Sequence, residues 1–445
     1  MGQLFGTDGV RGVANRQLTP ELAVGLGRAL VRTLREEGAA YPRVIVGRDP
    51  RVSGEMLEAA LVAGVCSAGG ESVVIGVIPT PGVAYLITHL GADSGVVISA
   101  SHNPVEDNGI KVFGRDGFKL NDEEEGRISA LVHCPDENPP TGAAVGRVRQ
   151  YHDAVGAYVA HLVDTARGVD LSGLRVVVDC ANGAASAVAP AVLQRLGCTV
   201  TAIHAAPDGT NINDGCGSLH PEVVAASVVE IGADVGLAHD GDADRLIAVD
   251  HTGAVVDGDA MLAILASRMH RTHGLDGVVT TVMTNLGFRQ AMESLGIDVI
   301  QTQVGDRYVL EAMRTSGYML GGEQSGHLIF GEHATTGDGV LTAIQLLSVI
   351  SAERAPLARL ATVMRRLPQV LINIRGIERC RLDGADRLWE AVAEAEATLG
   401  RAGRILVRAS GTEPIVRVMV EADCADHATE IAERLASVAA QELRP

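Results

Sequence analysis

Short β-branched runs alternate with helical apolar patterns along most of the chain. Residues Val44–Asp49 (VIVGRD) stay apolar until the run ends, which predicts a strand buried on both faces. A loop and a helical pattern ending at Gly69-Gly70 follow, then a second strand, Ser72–Ile78. The same order returns at Arg175–Asp179, a helix ending at Leu196-Gly197, and Thr199–Ile203. It returns again at Gly277–Val282, a helix ending at Leu295-Gly296, and Ile297–Gln301. Each unit continues with a third strand, a polar loop and a fourth strand. These read GADSGVVIS, ASHNP and GIKVF in the first unit, GADVGLAH, DGDADR and LIAVD in the second, and SGYMLG, GEQSGH and LIF in the third. Similar units at intervals far above the roughly 50 residues of a solenoid repeat indicate repeated domains. The loops align as well as the strands, so three chemically loaded loops occupy one place in three similar domains. If those domains surround one cleft, all three loops can face it.

The pattern changes after Arg365-Arg366 and Pro368. Val370–Ile374 and Arg404–Val407 are strand-like, SGTEP leads to Val416–Val420, and a helix begins near Asp426. The predicted fold is α/β: three similar mixed-sheet α/β domains (1–150, 151–253 and 254–366) and a smaller C-terminal α+β domain (367–445) around a central cleft. Gly25-Leu26-Gly27 lies inside a helical pattern with no strand before it, which excludes a dinucleotide fingerprint.

The 445 residues are 47% hydrophobic but only 3% aromatic, so alanine, valine and leucine must fill several cores. No apolar run approaches the roughly 18 to 20 residues that cross a bilayer, and the N-terminus carries no secretory pattern. A net charge of −18 without a basic tract argues against nucleic acid. The same field repels a sugar phosphate, so an anionic substrate needs a local basic site. Seven dispersed cysteines without CxxC spacing read as reduced cytoplasmic thiols and point to no zinc site.

DGDADR, Asp240 to Arg245, is the strongest local signal. Asp240, Asp242 and Asp244 alternate with small residues that let the backbone curl and the carboxylates converge. Three oxygen ligands suit a hard cation, Mg²⁺ foremost; a solvated acidic turn is the plain alternative. SASHNP, Ser99 to Pro104, puts Ser101 at a strand's end, where functional loops emerge in α/β sheets. Pro104 suits the start of a helix there. His102, read alone, is more often structural than catalytic. Lys111 sits within an apolar strand; pointing into a polar cleft it would have a lowered pKa suited to proton transfer, and pointing outward it would be ordinary. GEQSGH offers Glu323 and Ser325 to sugar hydroxyls. RASGTEP, with Arg408, Ser410, Gly411 and Thr412, has the makings of a phosphate nest, and Arg417 adds a second guanidinium fork. FGTDGVRG contributes Arg11, and GRDPRVSG follows the first strand; both are sources of cations for an anion site. Arg48 and Asp49 fit a mutual ion pair equally well.

Together these motifs, in this order and along the whole length, resemble the α-D-phosphohexomutase superfamily. FGTDGVRG, GEQSGH, VGDRYV and RASGTEP resemble its bacterial phosphoglucosamine mutase branch. The resemblance implies four domains around a deep cleft, carrying in turn the phosphoserine, metal, sugar and phosphate loops. It implies that Ser101 is a phosphoserine, and that Asp240, Asp242 and Asp244 hold one Mg²⁺ with a phosphoserine oxygen. Lys111 becomes a general acid/base, Arg11 and Arg245 cations near the phosphoserine, and Glu323 and Ser325 sugar contacts. Arg408, Ser410, Gly411, Thr412 and Arg417 grip the non-reacting phosphate. Other branches place a histidine where this chain has Val304–Arg307 (VGDR). His102, kept among the catalytic candidates, does not inherit that role, and the group that deprotonates the sugar is left open.

The implied reaction interconverts glucosamine 6-phosphate and glucosamine 1-phosphate, with glucosamine 1,6-bisphosphate as intermediate and activator, feeding UDP-N-acetylglucosamine and cell-wall precursors. Its alternatives are a phosphomannomutase or phosphoglucomutase, a Mg²⁺-dependent phosphatase, and a silent phosphosugar sensor. The expected partner is a small phosphosugar in the cytoplasm, with no nucleic acid or membrane; a homodimer and an activating kinase are compatible additions.

Overall fold

A computed structural model of the protein describes residues 4–444 apart from 7, 135, 137 and 411–414. The first sheet contains β1 (Val10–Val13), β2 (Arg43–Arg48), β3 (Glu71–Val77), β4 (Ser94–Ile98), β5 (Asp107–Gly114) and β6 (Val148–Gln150). The second contains β7 (Arg175–Asp179), β8 (Thr199–Ile203), β9 (Val235–His239), β10 (Leu246–Asp250) and β11 (Val255–Val256). The third contains β12 (Gly277–Thr281), β13 (Asp298–Thr302), β14 (Leu320–Gly322) and β15 (Leu328–Phe330). The fourth is antiparallel: β16 (Gln369–Ile374), β17 (Arg404–Ala409) and β18 (Val416–Glu421), with β18 central.

The first three sheets share one plan. Their strands run in the orders β3-β2-β4-β5, β8-β7-β9-β10 and β13-β12-β14-β15. In each, the first three are parallel and the fourth is antiparallel. The chemically loaded loop therefore joins the third strand to an antiparallel fourth in every repeat. The expected mixed sheets are present, with strand ends within about a residue of those read from the pattern, the usual margin of such boundaries.

The added edge strands carry weak signals. β1 comes from a glycine-rich stretch too short to show a period, and it is held by pairing Val10 with Ile110 and Arg11 with Gly109. β6 is three exposed residues beside β3.

Val44, Val46, Val96, Ile98, Ile110 and Val112 pack against Leu26, Leu30, Leu57 and Leu61 of the helices Pro20–Glu36 and Val52–Ser67. Each such side chain buried contributes on the order of 1.5–3 kcal/mol. Gly27 and Gly64 allow those helices to cross closely: a Cβ on Gly27 would meet the Leu61 carbonyl oxygen at 2.4 Å, and one on Gly64 the Val24 oxygen at 2.3 Å. The GLG run is thus a helix crossing.

By compactness the chain divides into Met1–Val282 with Ile297–Thr362, and Met283–Gly296 with Val363–Pro445. The first unit holds the first three sheets. The second holds the antiparallel sheet and the helix Leu286–Leu295, whose first amide donates to the buried Glu421 carboxylate at 2.8 Å. Among the described residues, no single helix is long and apolar enough to cross a membrane.

Candidate active site

Ser101 adopts a left-handed backbone, φ 52°, just past the end of β4. Its amide donates to Ser99 Oγ at 2.9 Å, and Ser99 Oγ donates to Asp49 Oδ2 at 2.7 Å. Arg51 has no solvent exposure. Its Nε donates to Asp49 Oδ2 at 2.9 Å, and Nη2 donates to the carbonyls of Ser101 at 3.1 Å and Asn103 at 2.7 Å. Nη1 donates to the carbonyls of Pro104 and Asp107. From the second repeat, Asn213 Nδ2 reaches the Ser101 and Asn103 carbonyls at 2.9 and 3.0 Å. A non-glycine residue in this region costs on the order of 1–3 kcal/mol and persists only where its surroundings over-determine it, as here.

The Ser101 hydroxyl donates to Asp240 Oδ2 at 2.6 Å. Asp240, Asp242 and Asp244 are all buried, and each places an oxygen within 4.8 Å of the others. Gly241 lets the loops touch, since a Cβ there would lie 2.6 Å from the Ser101 carbonyl oxygen. Thr80 donates to Asp242 Oδ2 at 2.6 Å, and Lys111 Nζ reaches Asp242 Oδ2 at 2.9 Å and Asp244 Oδ2 at 3.5 Å. Burial and the two neighbouring carboxylates push the Asp240 carboxyl well up. Burial opposes ionisation of Asp244 too, but the Lys111 and Arg245 charges hold it well below the usual range. Oδ1 of Asp242 and Oδ1 of Asp244 are buried without a hydrogen-bond partner. Buried orphan acceptors of this kind fit a bound cation.

The third loop packs on the second. The Leu246 amide donates to the Gly326 carbonyl at 3.1 Å, and the Gly339 amide to the Ala243 carbonyl at 3.0 Å. Glu323 Oε1 accepts the Gly305 amide at 3.2 Å, and burial raises its carboxyl. Ser325 is exposed at the loop's tip. His327 Nδ1 lies 3.7 Å from Asp244 Oδ1, while Nε2 accepts the Gly337 amide at 3.1 Å. Surrounding carboxylates favour a charged ring, but the Gly337 N–H requires the Nε2 lone pair; we take the ring as neutral, with its proton on Nδ1. His102, whose Nδ1 is 3.3 Å from Ser101 Oγ, is lowered to about 4 by burial, Arg245 and Arg11, so it is neutral near pH 7. Arg11 Nε and Arg245 Nε are buried donors without a hydrogen-bond partner.

Four family models match in order: phosphoglucomutase/phosphomannomutase α/β/α domain I over residues 2–138, domain II over 150–253, domain III over 257–367 and the C-terminal domain over 371–438. A phosphoglucosamine mutase from Moorella thermoacetica is 57% identical over 425 residues, 95% of each chain. The chain belongs to the phosphoglucomutase/phosphomannomutase family. Among solved structures, a phosphoglucomutase/phosphomannomutase family protein from Burkholderia thailandensis superposes with a TM-score of 0.85 at 26% identity, covering 100% of this chain and 98% of that one. The fold is also that of Aspergillus fumigatus N-acetylphosphoglucosamine mutase, solved with GlcNAc-6P and magnesium (TM-score 0.72, 18% identity, 99% and 96% covered).

In this family member the structure brings Ser101, His102, Lys111, Asp240, Asp242, Asp244 and Arg245 to one point. Several expectations need correcting. No helix starts at Pro104; the chain makes turns and enters β5 at Asp107. Burial would lower Lys111, but Asp242 and Asp244 outweigh it and raise the ammonium instead. Asp49 pairs with Arg51, whereas Arg48 pairs with Glu55 and Glu58. Arg51 is accordingly a buried strut whose donors are spent on the Asp49 carboxylate and on loop carbonyls, not a cation offered to a substrate anion.

In the second unit, Arg408 and Arg417 stand opposite each other on β17 and β18, and burial together with Arg417 lowers Arg408. Ser410 is buried, and its carbonyl accepts from Arg379. Gly411 and Thr412 lie outside the described residues. Sequence reasoning missed Arg51, Thr80, Asn213 and His327. The last sits inside GEQSGH and was within reach; the others stand where a turn or helix start explains them equally well.

Proposed function

We propose that the chain is a phosphoglucosamine mutase, interconverting glucosamine 6-phosphate and glucosamine 1-phosphate through phosphorylated Ser101 and glucosamine 1,6-bisphosphate, its intermediate and activator. The observation that carries this reading is the Ser101 hydroxyl 2.6 Å from Asp240 within a buried three-carboxylate cluster. The near-full-length likeness to the Moorella protein supports the sugar. The four segments 1–150, 151–253, 254–366 and 367–445 are taken as the serine, metal, sugar and phosphate domains.

Asp240, Asp242 and Asp244 offer the hard oxygen donors that suit one Mg²⁺. Bound there, Mg²⁺ supplies charge neutralisation for the transferring phosphoryl group. Ser101 donates its phosphoryl to the sugar's 1-hydroxyl and takes back the one at position 6. Arg11 and Arg245 bring to phosphoryl oxygens their buried Nε donors, which make no hydrogen bond among the described residues. Lys111 holds Asp242 and Asp244 in place as an ammonium, and it serves as the candidate general acid once a cation on the same carboxylates offsets the charge that raises it; His102, a neutral ring, orients the serine hydroxyl, whose own proton goes to Asp240. Glu323 and Ser325 are assigned to sugar hydroxyls. Arg408, Ser410, Gly411, Thr412 and Arg417 are assigned to a phosphate; two guanidinium groups set opposite each other favour an anion. The reading puts the activity in the cytoplasm, on a small phosphosugar, with neither nucleic acid nor membrane as partner.

The test pairs intact mass, before and after phosphatase treatment, with turnover of glucosamine 6-phosphate. One phosphoryl mass on wild type, absent from Ser101→Ala together with turnover, is expected. Full turnover by Ser101→Ala sinks the scheme, and free phosphate without isomerised sugar indicates a phosphatase. Comparing kcat/KM on glucosamine, glucose and mannose phosphates decides the sugar.

A further inference from the structure

A second cluster of ligating groups stands apart from the three loops. Asp179 ends β7, His204 follows β8, and Cys216 precedes the short turn Gly217–Leu219. One donor atom from each lies within 4.8 Å of the other two. Asp179 and Cys216 are buried, and His204 is half-buried. His204 Nδ1 is 3.1 Å from Asp179 Oδ2, but the angle makes no hydrogen bond, so this buried nitrogen has no hydrogen-bond partner. Asp179 accepts one backbone N–H on each oxygen, from Ala181 at 2.9 Å and Gly217 at 3.0 Å, and each oxygen keeps a second lone pair.

The surrounding backbone is unusual. Ala181, Asn182, His204 and Asn213 all hold positive φ, between 43° and 58°. Such strain, about 1–3 kcal/mol at each residue, gathers at ligand clamps.

We propose that Asp179, His204 and Cys216 form a second metal site for a thiophilic divalent cation of the Zn²⁺ and Co²⁺ class. Carboxylate, imidazole and thiolate are the borderline-soft set such ions take, with a fourth position left for water. The Asp240–Asp244 cluster offers oxygen alone. On binding, the Cys216 S–H bond breaks, the sulfur–metal bond forms and the proton leaves to solvent. Cysteine spacing hid the site, because its three donors come from segments far apart in sequence. Occupation also bears on the serine loop: Asn213, three residues before Cys216, donates to the Ser101 carbonyl at 2.9 Å, and its own amide donates to Ala181. A cation here fixes the segment that braces Ser101 from behind.

The experiment adds Co²⁺ to the full chain in saturating Mg²⁺. One cobalt per chain with a near-ultraviolet sulfur-to-cobalt charge-transfer band is expected. The band is lost in Cys216→Ser and kept in Asp242→Asn protein with wild-type circular dichroism. No band, a band that survives Cys216→Ser, or one lost in folded Asp242→Asn overturns the proposal. Should Cys216→Ser fail to fold, X-ray absorption at the cobalt edge of the wild type decides instead. A sulfur neighbour at about 2.3 Å supports the site, and only oxygen and nitrogen neighbours refute it.

Discussion

The Arg51 guanidinium, with no solvent exposure, donates to the Ser101 carbonyl at 3.1 Å while its Nε holds Asp49 Oδ2 at 2.9 Å. One side chain thereby fixes the start of the loop, through Asp49 and Ser99, and the carbonyls along it. Removing one partner of a buried pair costs about 3–5 kcal/mol, because the other charge is stranded. Arg51→Met should therefore lower the thermal midpoint by many degrees and abolish turnover. Arg51→Lys, whose ammonium lacks the planar fork, should fall between the two. A differential scanning measurement with parallel turnover assays checks both, and wild-type behaviour of Arg51→Met removes Arg51 from the argument.

Thr80 reaches across from the first repeat to donate to Asp242 Oδ2 at 2.6 Å, and its amide donates to the Asp242 carbonyl at 3.0 Å. A partner that orients a metal ligand is typically worth about 10- to 100-fold in metal affinity. Thr80→Val keeps the shape and the backbone bond but loses the hydroxyl. The Mg²⁺ concentration for half-maximal turnover should rise about tenfold, with turnover at saturating Mg²⁺ less affected. An unchanged Mg²⁺ requirement would show that Asp242 needs no help from this hydroxyl.

The repeated plan was legible because its carriers are periodic. Val44–Val46, Val176–Val178 and Val278–Thr280 are fully buried central strands, and such strands read as unbroken apolar runs. Ser101 and the three aspartates were legible because the repeat placed their loops in equivalent positions. Arg51, Thr80 and Asn213 were not, because their roles depend on contacts 50 to 162 residues away in sequence. The same holds for Lys111. A lysine in an apolar strand suggests a lowered pKa, and only the facing Asp242 and Asp244 reverse the direction.

The Gly27–Gly64 crossing admits a direct stability test. A methyl group at either position would press on a backbone carbonyl of the facing helix, and backbone cannot swing aside as a side chain does. Helix propensity alone would make Gly→Ala favourable by up to about 1 kcal/mol. Overpacking costs about 1–3 kcal/mol, and with contacts of 2.3 to 2.4 Å it should win. Gly64→Ala should lower the thermal midpoint, whereas Gly126→Ala, on the helix Asp122–Leu131 with nothing within 4 Å, should raise it slightly. The opposite ordering refutes the close crossing.

Asp338 supplies a pH test at a carboxyl outside the Asp240–Asp244 loop, though Asp244 adds to what raises it. It caps the helix Gly339–Glu353 by accepting the Leu341 amide at 2.9 Å, and it accepts the Tyr158 hydroxyl. Burial raises its carboxyl to about 6. An unfolded aspartate titrates near 3.9, so the folded protein holds this proton more tightly. Above pH 6 the buried carboxylate is ionised at a cost on the order of 2–3 kcal/mol; that cost is relieved as pH falls from 6 toward 4. Asp338→Asn mimics the protonated acid at every pH, since its amide keeps an acceptor for Leu341 and a donor for the Tyr158 oxygen. The variant should therefore melt above wild type at pH 8, and the gap should narrow steadily as the buffer is taken to pH 5. A gap independent of pH, or one that widens on acidification, would mean that Asp338 is not a raised acid in the folded state.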